Sequence, residues 1–344
     1  MSKDKGGRIL YLSRLKALAC IAVVVLHSFY AADAYAKTSS QHTLMLAVRN
    51  ACMWAVPCFV MATGALLLEP ERKLTYKKLF LRLVLKMVIA LLVFTFLFAL
   101  FDAALIQKSV TADIFTVCKD NILYGTGWKH MWYLYLMTAL YLMMPMYKAA
   151  ADKKDKSLIY YICIVLFVFL SLRPMLETLI GRQGAFYICA FSVYPLYIFM
   201  GFMLGNKMIK LPRIVYILLA AAGLVCIVVL TAKAVNDKSQ TINELLGSYS
   251  FPVTVIMSAG FFGAFAMSKG DKRIPVIDTV AAELEKCSFG IYLIHMAVLK
   301  YIFAVMRLDP FEHGGVWAVI LITLISLLIS YAVTRLYKLL PCVK

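Results

Sequence analysis

Long, nearly uncharged apolar blocks constrain this chain more than any other feature. They fall near residues 15–36, 44–68, 79–104, 130–147, 158–176, 186–205, 214–232, 251–267, 287–306 and 315–337. Most approach the roughly 20 residues that an α-helix needs to cross a bilayer. In lipid a spanning segment must satisfy its own backbone hydrogen bonds, so only helices and closed barrels are available. A barrel would show short strands of alternating polarity, and these blocks are continuous. The expectation is an all-α, polytopic transmembrane bundle of about ten spans, one integral-membrane domain over residues 1–344. A composition that is 63% apolar with a mean hydropathy of +0.83 agrees, because no soluble domain of this length needs so much apolar surface. Two blocks read as short or interrupted: the fourth carries Pro145, and the fifth has Arg173-Pro174 near its exit.

Charge then orients the bundle. The net charge of +18 is dispersed in short clusters between apolar blocks, which argues against nucleic acid as a partner. One alternating set of segments holds Lys3, Lys5, Arg8, Arg14 and Lys16; Arg72, Lys73, Lys77, Lys78, Arg82 and Lys86; Lys148, Lys153, Lys154 and Lys156. It continues with Lys207, Lys210 and Arg213; Lys269, Lys272, Arg273 and Lys286; and Arg335, Lys338 and Lys344, making 25 of the 36 basic residues. The positive-inside rule puts this set, and with it both termini, on the cytoplasmic side. The alternate loops near 105–129, 177–185, 233–250 and 307–314 face outward and are too short for a second domain.

Ala34-Tyr35-Ala36 has the form of a signal-peptidase site. Cleavage there would remove the first apolar run, but that run has the length of a span and contains a histidine, so it reads as retained. Of the nine cysteines, Cys20, Cys52, Cys163, Cys189 and Cys226 fall within apolar runs, and Cys118 falls in an expected outer loop. With no CxxC and no zinc-like Cys/His spacing, they read as small packing residues, and no metal site is expected.

Four constellations could carry chemistry. In LKALACIAVVVLH, Lys16 and His27 are eleven residues apart, a little over three helical turns, so they share a helix face about 16 Å apart along the axis. Ionisable groups at such depth face a protein interior or a water-filled cavity. Lys78, Arg82 and Lys86 form a stripe at i, i+4 and i+8. Snorkelling to headgroups explains its outer members; a site for a polyanion entering from the cytoplasm explains all three. In the aromatic-rich segment Trp128–Tyr147, His130 and Trp132 fit either an interfacial belt or the wall of a sugar pocket. His295, in CSFGIYLIHMAVLK, is either a hydrogen-bonded packing histidine or a second functional one, and Lys300 beyond it reads as a snorkelling residue. The acidic residues fall almost all in loops, so neither a carboxylate dyad nor a proton relay is evident.

Taken in order, these motifs resemble the bacterial membrane-bound acyltransferase-3 family, whose members O-acylate surface glycans and related acceptors. The family's first span carries Arg, ten residues, then His; here Lys16 stands in place of the Arg. PCFVMATGALLL is similar to its phenylalanine-rich stretch ending in Ser-Gly, with Thr63-Gly64 here. The Lys78, Arg82, Lys86 stripe, the HMWYLYLMTALYLMMP segment and FGIYLIH resemble three later family segments. Lysine lacks the planar bidentate fork of arginine, so the contact made by Lys16 differs from the family's.

The resemblance implies a multi-pass enzyme of the bacterial cytoplasmic membrane that moves an acyl group from cytoplasmic acyl-CoA to a hydroxyl. Acetyl-CoA is the expected co-substrate and succinyl-CoA the other; no permanently bound cofactor is implied. The acceptor would be a cell-surface or exported glycan or another hydroxyl compound, with membrane lipids and polysaccharide synthesis or export proteins as partners. His27 would be the catalytic base or a transient acyl carrier, Lys16, Lys78, Arg82 and Lys86 the donor-binding cations, and His130, Trp132 and His295 acceptor-side or accessory residues. The alternative is a carrier of a glycan or lipid-linked sugar. Such carriers are commonly built on internal repeats, and none is visible here.

Overall fold

The computed structural model describes residues 9–108, 113–185, 190–268 and 274–339. Lys3, Lys5, Arg8, Cys189, Lys269, Lys272, Arg273 and Lys344 lie outside the described residues. Each of the ten apolar blocks contains helix, that of block 186–205 being Tyr194–Gly205, and there is no β-strand among the described residues. Seven are long and apolar enough to cross a membrane: Leu10–Asp33, Ser39–Leu67, Tyr76–Ile106, Lys156–Ile180, Arg213–Asn236, Pro275–Val305 and Val316–Lys338. Tyr194–Gly205 and Pro252–Ala266 are apolar but shorter, and Trp132–Asp152 is a 21-residue helix that carries Pro145 inside it. Two expected outer loops contain helices of their own, Ile114–Tyr124 and Gln240–Leu246.

The first two spans form the centre. In their apolar 18-residue stretches 61% of the residues are buried, against 17–33% in those of the other five long spans, whose remaining side chains include outward-facing residues such as Leu92, Val93, Leu218, Val229 and Leu328. The first span runs parallel to Pro275–Val305, as shown by contacts that climb both helices together: Arg14 with Asp278, Lys16 with Glu285, the His27 ring with His295, and Tyr35 with the Phe303 carbonyl. The second span starts on a capping box, in which Thr38 Oγ1 accepts from the Gln41 N–H and the Gln41 side chain accepts from the Thr38 N–H. Each half satisfies a backbone donor that the helix start would otherwise leave open.

Close packing without a hydrophobic drive between helices needs small residues at the contact. Gly64, from the Thr63-Gly64 motif, supplies one. A Cβ there would collide with the Ile198 carbonyl, and a Cβ at Gly201 would collide with that of Met61, so these two helices meet backbone to backbone. Thr63 Oγ1 bonds back to the Phe59 carbonyl at 3.1 Å and takes no part in the site. The last span turns a buried polar stripe, Thr323, Ser326, Ser330 and Thr334, toward Pro275–Val305. Ser326 donates to the His295 carbonyl at 3.2 Å, and Thr334 lies against Gly290. Four π-turns interrupt the spans, among them Leu79–Val84, Asp102–Ile106 and Tyr301–Val305. Two of these begin at or directly after charged residues of the site, a common location for such turns.

Candidate active site

Three histidines distant in sequence converge. The His27 and His295 rings lie 5.1 Å apart, centre to centre, and those of His130 and His295 lie 5.8 Å apart. His295 is presented by Pro275–Val305, and its Nδ1 lies 3.0 Å from the Ile291 carbonyl one turn back. A carbonyl only accepts, so Nδ1 carries the proton and the neutral ring keeps its Nε2 lone pair. That Nε2 has no hydrogen-bond partner. His130 sits on a short 3₁₀ turn, Lys129–Met131. Tyr292 Oη donates to its backbone carbonyl at 2.6 Å, and its ring packs against Phe98, Trp128 and Tyr292. Neither His130 ring nitrogen has a hydrogen bond of standard geometry, although the Leu293 backbone lies close by. His130 and His295 are 2% and 0% exposed, whereas His27 is only half-buried. Among the described residues no three His, Cys, Asp or Glu side chains converge as metal ligands, these histidines included.

His27 stands where two cavities meet. An inner slot of about 130 Å³ runs down the first span and is walled by Cys20, Val23, Val56, Phe59, Ser288 and Phe289. An outer cavity of about 660 Å³ is lined by Arg49, Asn121, Trp128, Lys129, Met296 and Lys300, among others. Leu26, His27, His130, Trp132 and Tyr249 line both. His295 lines neither and sits behind the other two rings. Trp132 also packs against Tyr194 and Tyr249, so it is part of an aromatic wall facing the junction rather than lipid alone.

The cations divide into paired and unpaired. Lys16 shares the His27 face and contacts the same partner helix, but its Nζ is 3.1 Å from Glu285 Oε1, and Ser13 donates to the same carboxylate. Lys78, Arg82 and Lys86 have no acidic partner among the described residues. All three are exposed, and the π-turn Leu79–Val84 winds the chain more loosely along this stretch, so they do not form a straight α-helical stripe. Lys86 holds its ammonium 4.6 Å from the centre of the ring of Phe289, a wall residue of the slot, without lining the slot itself. On the outer side Lys300 does more than snorkel. Its Nζ bonds Asp102 Oδ1 at 2.6 Å and sits over the Trp128 ring at 4.4 Å, while Trp128 Nε1 donates to Asp102 Oδ2 at 2.8 Å. Glu285 and Asp102 are thus acidic groups on helices, engaged by cations. Asp102, Tyr249 and Tyr292 were not singled out by the sequence reading, nor was Arg49, a charge within the second apolar block.

The fold is thus a helical membrane bundle with a histidine cluster at the junction of a small apolar slot and a larger cavity. The chain matches the family model for the acyltransferase domain over residues 9–335, and it belongs to the acyltransferase-3 family. It is therefore a membrane acyltransferase. Searches of the curated proteins and of the solved structures each returned no match.

Proposed function

We propose that this enzyme transfers an acyl group, acetyl in the first instance, from acyl-CoA on the cytoplasmic side to a hydroxyl of a cell-surface or exported glycan. The observation that carries the reading is the position of His27, half-exposed at the one junction shared by the inner slot and the outer cavity. The slot has the calibre of an acyl-pantetheine arm rather than of a sugar. Lys86, against the slot wall residue Phe289, would hold the coenzyme phosphates together with Lys78, Arg82 and Lys16. The roomier aromatic and polar cavity, with His130 and Trp132 in its wall, would take the acceptor.

In the transfer the acceptor hydroxyl oxygen attacks the thioester carbon while His27 removes the hydroxyl proton. Collapse of the tetrahedral adduct expels the CoA thiolate, which recovers that proton from the imidazolium, leaving an ester and free CoA. His295, 5.1 Å behind the His27 ring, acts as a positioning residue. Were His27 instead an acyl carrier, its nitrogen would attack the thioester first and the hydroxyl would then attack the acyl-imidazole.

The test is acyl transfer from radiolabelled acetyl-CoA in membranes holding the wild type or His27→Ala at equal abundance. The expected result is label in a glycan fraction with the wild type only. Absence of label with both acetyl-CoA and succinyl-CoA would overturn the acyl-CoA reading. Label on the protein itself, when acceptor is withheld, would assign His27 the carrier role.

A further inference from the structure

Arg49 lies about 15 Å along the second span from its start at Ser39 by helical rise. It belongs to the outer half of the chain's charge pattern, where the positive-inside rule supplies no reason for a cation. An intramembrane arginine is costly unless it faces a partner or a cavity. Arg49 faces the outer cavity. Its guanidinium rests 4.8 Å from the centre of the Tyr30 ring and near the backbone of Gly247, close enough to His27 and Tyr249 to interact electrostatically with both. It has no carboxylate partner among the described residues.

The charges around it do not cancel. Arg49, Lys129 and Lys300 line the cavity beside a single carboxylate, Asp102, and that carboxylate is already held by Lys300 and Trp128. The planar guanidinium is left as an unsatisfied fork with donors matched to a carboxylate or a phosphate. It lines the outer cavity and not the inner slot, so its ligand arrives with the acceptor rather than with the coenzyme.

We infer that the acceptor is an anion, a hydroxyl compound carrying a carboxylate or phosphate that Arg49 holds so as to set its hydroxyl against His27. This rests on the acyl-transfer reading and narrows it: neutral glycans are poor acceptors and acidic or phosphorylated ones good. Lys129 adds attraction at the exposed rim, and Tyr30 keeps the guanidinium from swinging away.

The experiment uses the full-length protein in lipid nanodiscs, without donor. Binding of glucuronate, glucose 6-phosphate and glucose is followed by quenching of tryptophan fluorescence, to which Trp128 and Trp132 on the cavity wall contribute. In the wild type at least one anionic sugar binds about tenfold or more tighter than glucose, as expected for a charge-assisted hydrogen bond. Arg49→Gln brings that ratio to about one, and Arg49→Lys, which keeps the charge but not the fork, leaves it in between. The lysine variant also serves where the glutamine variant fails to fold. Whichever anion binds tighter separates carboxylate from phosphate recognition. Equal binding of charged and neutral sugars, no saturable binding by either anion, or a preference that survives Arg49→Gln would overturn the inference. Because no acyl donor is present, the result stands apart from whether acetyl-CoA is the co-substrate.

Discussion

The two spaces that meet at His27 share an aromatic junction but differ in size and in the polar groups they add. The inner slot is small and mainly apolar, walled by Val23, Val56, Phe59 and Phe289, with the Lys86 ammonium against the Phe289 ring. The outer cavity has about five times the volume and is lined with amide, indole, guanidinium and carboxylate groups. The difference teaches what each side can select. An apolar slot discriminates by calibre and gains affinity from the charge beside it, whereas a wide polar cavity discriminates by hydrogen bonds and charge, which reject a wrong partner more strongly. Under the proposed assignment of donor to slot and acceptor to cavity, the two specificities can change independently.

Several substitutions would break or sharpen that contrast. The largest effect belongs to Val56→Trp, which fills the inner slot without touching the outer wall. Acyl transfer falls by more than about 100-fold while sugar binding in nanodiscs is retained; a parallel loss of both would show that the two spaces are one. Next is Lys86→Ala. In steady-state kinetics it raises KM for acyl-CoA about tenfold with little change in kcat, since it removes a ground-state contact far from the reacting atoms. An effect on acceptor KM alone would reassign Lys86 to the other side.

Asp102→Asn leaves Lys300 without its counter-charge at the outer cavity, where the two side chains are 27% and 30% exposed. It costs about 1–2 kcal/mol of stability, a figure reduced for partial solvation, and is read as a lower midpoint of thermal unfolding in detergent. The smallest effect is that of Lys37→Ala. Lys37 bridges Asp309 and Glu312 on the outer rim, and hydrogen bonds to Glu312, then Asp309, raise its pKa above the ordinary 10.5. A cation whose folded pKa is raised contributes its full stabilisation below the unfolded value and loses it only as pH climbs through the folded one. The unfolding midpoint of the variant therefore matches the wild type, and their difference stays flat from about pH 6 to 9. A pH-dependent gap in that window would mean that the rim couples to a group that titrates there.

Much of the fold was legible because the bilayer prints its thickness onto sequence. Each apolar block contains helix, and the eleven-residue step from Lys16 to His27 put both on the face that meets Pro275–Val305. The site was legible where a residue type was unusual for its surroundings, as with His27, His130 and His295. What escaped was pairing. Nothing local assigns Glu285 to Lys16, 269 residues away, or Asp102 to Lys300, 198 away, since partners across a bundle are chosen by tertiary packing. Ile114–Tyr124 was read as part of a loop because its amphipathic pattern is short. Arg49 did carry a usable signal, a lone charge inside an apolar block.

The parallel pairing of the first span with Pro275–Val305 has a consequence for biogenesis. The ribosome delivers Lys16 and His27 to the membrane early, and their partners Glu285 and His295 are encoded 269 and 268 residues later. Until Pro275–Val305 has been made, the first span lacks the helix that contacts its lysine and histidine. A product truncated before residue 275 has neither Glu285 to pair with Lys16 nor His295 to pack on His27. Assembly of the site thus waits on one late event, the docking of one helix.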